Sequence, residues 1–473
     1  MPRLTLASAA ALIAAASGAF AQTIDIGNRR ELFLDPHLIE RMNGVEMRLQ
    51  TPLDRGPVLR FDRPWEGAFS GYATVIRDGA KYRLYYRGSP NAGKDGRPDE
   101  STCYAESADG VSWTKPEDNV VLRELAPFSH NFSPFLDTKP GVPAAERYKA
   151  LAGISRSGLV AFVSADGMRW RKLRETPVLP PAAETRYDSQ NLAFWSESEG
   201  RYVCYFRTFK AMPGRSKIRW VSRTTSTNFV DWEPPVEMSF GDAPPEHIYT
   251  NQTSPYFRAP HLYVSIAARF LPGRQVLTDE EAKAIQVNPG YFKDTSDAVL
   301  FTTRGAGARY DRTFLESFLR PGLGMENWVS RTNYPALNTV QTGAAEMSFY
   351  VNRNYGQPTA HLARYSLRLD GFSSLHAGNP GGELITKPVR FQGKELEINY
   401  STSANGGVRI ELQTENGEPV PGYSLADARE IIGDQIERVV SWKGGTDVSS
   451  LSGKPVRLRI VLKDADVFSF RFR

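Results

Sequence analysis

With 473 residues, of which 41% are hydrophobic and 23% charged, the chain holds enough apolar material for a large core, which excludes a disordered protein. Its net charge of +5 is mild for this length, and no dense Lys/Arg run marks a nucleic-acid partner. An acidic partner such as an anionic glycan stays compatible with that balance.

Residues 1–21 combine Arg3, an alanine-rich apolar run and Ala19-Phe20-Ala21, a small-x-small pattern ahead of Gln22. This reads as a removable secretory signal and predicts a secreted or periplasmic protein. No later apolar run reaches the roughly 18–20 residues of a membrane-spanning helix, so no membrane attachment is expected after signal removal. The two cysteines, Cys103 and Cys204, cannot supply a disulfide framework, and the six histidines show no zinc spacing. No cofactor is expected, although a structural calcium ion held by oxygen ligands remains compatible with the sequence.

Ile24 to Leu34 reads as an initial strand that completes or abuts whatever follows. Ser70 to Ile76, the Asp78-Gly79 turn and Tyr82 to Gly88 then form an antiparallel pair, and Asp109-Gly110 turns a further hairpin. That last turn, Ser107-Ala108-Asp109-Gly110-Val111-Ser112-Trp113, returns almost letter for letter as Ser164-Ala165-Asp166-Gly167-Met168-Arg169-Trp170. Looser copies follow at Ser226 to Trp232, Thr303 to Tyr310 and Ser366 to Phe372. A hairpin recurring every ~60–80 residues matches one four-stranded blade plus loops, and five copies predict a five-bladed β-propeller over residues 22–377.

The paired inner strands of the later blades are expected at Asn131 to Asp137 with Arg147 to Gly153, and at Ser189 to Trp195 with Arg201 to Arg207. They continue at Asn251 to Arg258 with His261 to Arg269, and at Asn338 to Gly343 with Glu346 to Asn352. An extra segment, about Leu271 to Ser296, reads as briefly helical over Leu277 to Ile285 and is either a loop overhanging a site or a surface excursion. After the linker at Ala377 to Gly382, alternating strands over 378–473 predict a C-terminal β-sandwich, with one short helix within Tyr423 to Ile432. The fold class is therefore all-β.

In a propeller the innermost strands begin around one funnel, and acids there are candidates for chemistry. Asp62 and Glu66, Glu184 and Asp188, and Asp242 and Glu246 precede the inner strands of blades one, three and four. Glycosidic cleavage needs one acid to protonate the leaving oxygen and a second carboxylate as nucleophile or base. Glu66 and Glu246 are the expected reacting pair, with Asp188 as the orienting acid. Trp65 offers a stacking face, while Gln190, Asn191, Asn251, Gln252 and Gln341 offer amides for sugar hydroxyls. Arg331, with Arg207, Arg258 and Arg269, suits a uronate or sulfate, and Glu346 is a reserve acid contact.

This arrangement resembles the five-bladed propeller glycoside hydrolases, the group that includes invertase-like fructosidases and arabinanase or xylosidase types. The Ser-Ala-Asp-Gly turns also resemble the Asp-box turns of sialidases. The resemblance implies three acids around the funnel, roles that Glu66, Asp188 and Glu246 fill by position. The expected activity is that of a secreted glycoside hydrolase acting on a polysaccharide or oligosaccharide through two carboxylates. A non-catalytic glycan-binding propeller, and a lyase on acidic glycans using a Tyr or His base beside an Arg or Lys, are the alternatives.

Overall fold

The computed structural model describes residues 22–181 and 186–473. The expected signal over 1–21 and the candidate Glu184 lie outside the described residues. The repeated turn folds for a local reason. Asp109 Oδ1 accepts hydrogen bonds from the Val111 and Ser112 amides at 2.7 and 2.8 Å, while Ser107 Oγ accepts from the Gly110 amide at 2.9 Å. The same set recurs around Ser164 and Asp166, and around Ser226 and Asn228. A short polar side chain thus satisfies backbone amides that the tight turn leaves without strand partners.

These turns also fasten neighbouring blades. The Tyr350 hydroxyl donates to the Gly110 carbonyl, and that of Tyr85 donates to the Gly167 carbonyl at 2.9 Å. Gly167 has φ +75°, and a Cβ there would lie 2.5 Å from the Tyr85 oxygen, so both backbone and neighbour require glycine. In the third copy Phe229 holds the left-handed position at φ 68° and wedges between Phe135 and Tyr202.

Five sheets surround one axis. Blade one is Gly71–Asp78, Lys81–Gly88, Ser101–Ser107 and Val120–Leu122. Blade two is Ser133–Leu136, Tyr148–Ile154, Gly158–Ser164 and Arg171–Lys172; blade three is Leu192–Ser196, Arg201–Met212, Arg215–Ser226 and Val236–Glu237. Blade four splits its inner strand into His247–Thr250 and Thr253–Tyr256, followed by Ala259–Leu271 and Thr295–Thr303. Blade five has Tyr334–Pro335 and Val340–Gln341 innermost, then Glu346–Arg353 and His361–Arg368. Its outer strand, Leu53–Arg60, comes from the other end of the ring, so the circle closes by strand pairing as well as by packing.

The ends of the chain depart from the expected division at 377/378. Ile24 to Leu34 does not complete the ring. Ile24–Gly27 pairs with Val389–Phe391, Glu31–Leu32 and Ile39–Asn43 also join the C-terminal strands, and Glu46–Leu49 pairs with Ser373–Ala377. The sandwich is therefore built from both ends of the chain. Its spine is the pairing of Leu396–Thr414 with Pro455–Phe472, in which Val456, Leu458, Ile460 and Leu462 point inward at period two. The helix expected within Tyr423 to Ile432 is absent; the segment instead forms turns and bridges to Val408 and Trp442, whose strands need its backbone groups as partners. The fifth turn is likewise no outer hairpin: Asp370-Gly371 carries the chain from blade five into the sandwich.

The sandwich docks at the end of the propeller where the third strands finish. Asp370, fully buried, accepts from Tyr256 Oη at 2.8 Å and Ser469 Oγ at 2.6 Å, and pairs with Arg258 at 3.1 Å. Glu31 of the sandwich meets His261 at 2.9 Å and Arg304 at 2.8 Å. Burial pushes the Glu31 carboxyl up, but the His261 hydrogen bond and the Arg304 charge outweigh it and hold it near about 2. A depressed carboxyl stabilises the fold above its unfolded value and loses that contribution as pH falls toward 2. The urea midpoint is accordingly expected to drop between about pH 4.5 and 2, with a smaller drop in Glu31→Gln.

Candidate active site

The axial amides have a structural task. Inner strands turn one backbone edge toward the axis, where carbonyls lack ladder partners. Gln190 Nε2 donates to the Ala73 carbonyl and to Thr74 Oγ1; Gln252 Nε2 donates to Gln190 Oε1 and the Pro335 carbonyl, both at 2.6 Å. Asn191 donates to the Tyr187 carbonyl, and Asn251 accepts from the Thr253 amide. All four are buried, so they plug the channel below the funnel and do not line it for sugar hydroxyls, as the sequence had led us to expect.

The three expected acids are not brought together. Glu66 is 1% exposed and its carboxylate is filled: Oε1 accepts from Tyr86 Oη at 2.5 Å and Asn119 Nδ2 at 3.0 Å, Oε2 from Lys115 Nζ at 2.6 Å and the Arg63 amide at 3.1 Å. These four contacts use about the whole acceptor capacity of a carboxylate. Trp65 donates to Asn119 Oδ1 and lies under Arg123, so it belongs to the same blade-one cluster. Glu246 bridges Arg269 at 2.6 Å and Arg312 at 3.1 Å, and Asp188 pairs with Arg207. Glu346 stands at the far end of blade five, held by Arg364 at 2.7 Å and Arg55 at 3.3 Å. Only Asp188, Arg207 and Arg331, among the expected residues, reach the centre described next.

That centre is made of arginines and tyrosines. Arg87 ends the second strand of blade one, lies 4.6 Å from the Tyr72 ring, and donates to the Phe69 carbonyl and Tyr355 Oη. Arg207 lies on the second strand of blade three, 4.8 Å from the Tyr249 ring; Arg219, on the adjacent strand, lies 4.9 Å from it, and Arg331 5.6 Å. Tyr334 packs on Tyr249 at 5.1 Å and on Tyr72 at 6.4 Å. The segment from Leu271 to Ser296, open in the sequence between an overhang and a surface excursion, carries its expected helix at Asp279–Ala284, capped by Thr278. It delivers Tyr291 to within 5.1 Å of the Arg331 guanidinium and 5.5 Å of Tyr355.

The local backbone is held away from ordinary conformations. Tyr72, Asn131, Tyr187, Gln252 and Arg331 have φ between 51° and 63°, at the entries to the inner strands. Left-handed backbone at bulky residues costs on the order of 1–2 kcal/mol each, and such positions cluster where geometry serves function. Between these entries and the Ser89 to Glu100 loop lies a narrow recess of about 10 Å³, lined by Arg87, Asp95, Tyr291, Arg331 and Tyr355. Glu100 anchors that loop, taking His130 Nδ1 at 2.8 Å and the Gly96 amide at 3.0 Å.

Four guanidinium groups outnumber the nearby carboxylates of Asp95, Glu100 and Asp188. Arg207 is 3% exposed, yet its Nε and Nη1 have no protein acceptor, and neither does the hydroxyl of buried Tyr334. Buried donors without acceptors are costly unless a ligand satisfies them. Burial would push the Tyr249 phenol up; the charges of Arg331, Arg207 and Arg219 outweigh that effect and bring it down to about 8. Burial pushes Tyr72 and Tyr334 well above the ordinary value, so one phenol of the cluster is acidic and its neighbours are not.

The sequence carried an unread signal for this centre. In four blades the second strand carries an arginine beyond its midpoint, at Arg87, Arg207, Arg269 and Arg353, and only Arg207 and Arg269 were singled out from the sequence. Structure divides them: Arg269 is held bidentately by Asp297 at 2.6–2.8 Å, and Arg353 donates to Asn333 and the Pro321 carbonyl, which leaves Arg87 and Arg207 at the funnel. Arg258 belongs to the sandwich contact. Both cysteines are buried and unpaired. Among the described residues there is no group of three or more His, Cys, Asp or Glu side chains arranged to hold a metal ion, and no helix long and apolar enough to cross a membrane.

No family model and no curated protein matches this sequence. Among solved structures, the chain is similar to a family 43 arabinoxylan arabinofuranohydrolase from Bacillus subtilis, at 10% identity and TM-score 0.41, over 87% of this chain and 97% of that one. It is similar to a family 32 β-fructofuranosidase from Bombyx mori at 12% and 0.43, over 88% and 94%. An N-acetylgalactosamine deacetylase from F. plautii is similar at 13% and 0.44, over 69% and 96%. The five-bladed ring itself rests on the strand pairing described above.

Proposed function

We propose that the protein is a glycoside hydrolase whose funnel takes a sugar bearing a carboxylate or sulfate group. The observation that carries this reading is the buried guanidinium of Arg207, with two donor atoms lacking acceptors, facing the same tyrosine as Arg219 and Arg331. Such donors match the paired oxygens of an anionic group, and burial of the guanidinium strengthens the attraction. Aromatic rings around the recess suit the apolar faces of a pyranose, and the export expected from the sequence would fit a substrate found in extracellular polymers.

The purified protein should therefore release products from glycosides of acidic sugars and leave neutral analogues of the same linkage intact, as read by mass spectrometry across a glycan panel. Equal cleavage of neutral and acidic members would refute the reading. The lyase alternative gains support from Tyr249 lying beside three arginines; in the same panel it would announce itself by unsaturated, ultraviolet-absorbing products.

A further inference from the structure

We infer that the protein carries a second saccharide site on the outer wall of the propeller, a groove at the seam of blades five and one. It takes a segment of an acidic polysaccharide through Arg60, Arg63 and the ring of Trp113. The groove measures about 700 Å³ and is lined on one side by residues 58–60, 62 and 63 and on the other by 113–115. That volume lies within the roughly 300–1,000 Å³ of small-ligand sites. The groove shares no lining residue with the funnel recess.

It opens where two copies of one turn meet different neighbours. Trp113 and Trp170 close near-identical sequences, and Trp170 packs on the rings of Tyr85, Phe132 and Tyr148 at 6.3, 4.9 and 6.4 Å. Trp113, among the described residues, meets the single ring of Tyr350 at 5.6 Å and is half-buried at the groove. Beside it lie Val58 and Leu59, from the strand Leu53–Arg60 that enters blade five from the other end of the ring. An indole left partly uncovered in this way offers a stacking surface for the apolar face of a sugar.

The charges decide which sugar. The Lys115 ammonium donates to the Arg60 carbonyl at 2.5 Å, Asp62 Oδ1 at 2.8 Å and Glu66 Oε2 at 2.6 Å, which uses all three of its donors. Lys115 thereby occupies both neighbouring carboxylates. Exposed Arg60 and half-buried Arg63 enter hydrogen bonds through their backbones, and among the described residues neither guanidinium has a hydrogen bond or ion pair. Two unpaired guanidinium forks beside an indole match a sugar that carries a carboxylate or sulfate, whose oxygens accept in pairs. A neutral sugar would meet the ring and leave both forks without acceptors.

Held on this wall, an acidic polymer would keep its free segments near the funnel at raised effective concentration, the one consequence that depends on the hydrolase reading above.

Affinity electrophoresis of the full-length protein tests the site, with gels holding polygalacturonate, dextran sulfate or neutral dextran, each read against a polymer-free gel. The parent should be retarded by an acidic polymer and pass dextran freely. Arg60→Gln/Arg63→Gln should weaken the retardation at least ~5-fold, and Trp113→Leu, with a urea midpoint confirming that it is folded, ~3-fold or more. Arg169→Gln/Arg201→Gln removes the same charge from exposed positions on blades two and three and should behave as the parent. The loss in the groove variant should persist undiminished in an Arg331→Met background, because the two sites share no residue.

Retardation by one acidic polymer alone would support the site and name carboxylate or sulfate as its anion. Free passage of the parent through both acidic gels, equal losses in the two charge-matched variants, or a loss that vanishes in Arg331→Met would each overturn the groove. None of these results bears on the release of products at the funnel, so the two readings fail separately.

Discussion

Replacing Arg331 by methionine is expected to weaken binding of an acidic sugar by about 2–3 kcal/mol, roughly 30- to 150-fold, while affinity for a neutral analogue changes little. The guanidinium is bracketed by the rings of Tyr249, Tyr291 and Tyr355, and among the described residues it has no carboxylate partner. Its removal therefore leaves no buried acid exposed to an uncompensated environment, unlike loss of Arg207, which would strand Asp188. Methionine also preserves part of the packing against the three rings. Titration calorimetry with matched acidic and neutral sugars reads the difference; an equal loss for both would show that Arg331 shapes the recess without recognising charge.

Glu66→Ala is expected to cost about 3–5 kcal/mol of stability, the range for removing one partner of a buried ion pair. Lys115 would keep the Arg60 carbonyl and Asp62, whose side chain is 68% exposed, and Tyr86 Oη and Asn119 Nδ2 would lose their shared acceptor. Chemical denaturation measures the loss. Glu66→Gln separates structure from catalysis, because an uncharged acceptor of the same shape retains part of the hydrogen-bond set. Under conditions where that variant is fully folded, its turnover should equal the parent's; a loss confined to turnover would restore Glu66 to the chemistry.

The contrast between Glu66 and Tyr249 shows what was legible. Glu66 attracted attention because acids before inner strands are where glycosidic chemistry is sought, and its position in the chain was read correctly. Whether such an acid opens to the funnel depends on Lys115 and Asn119, about 50 residues away, which meet it only in the folded blade. Tyr249 stood three residues from Glu246 and was passed over, because a tyrosine in a strand is most often core. Its altered acidity comes from three arginines on blade three and the entry to blade five, a long-range sum of charges with no local pattern.

The amides illustrate the same limit from the other side. Gln190 and Gln252 were recognised as polar groups at the axis, and that placement holds. Their use was misjudged, because the carbonyls that claim them belong to other blades and become available only when the ring closes.

By itself the sequence determined the repeat. Ser-x-Asp-Gly turns, period-two strands and their spacing act within one blade, through hydrogen bonds a few residues long and side chains alternating across a sheet. Those forces are local, so five blades and a trailing sandwich could be read directly. Only the tertiary structure decided that Leu53–Arg60 closes the fifth blade, that residues 24–49 belong to the sandwich, and which of four second-strand arginines stand at the funnel. Each of those outcomes depends on which distant partner claims a strand edge or a charge, and that competition is settled only when the whole ring is assembled.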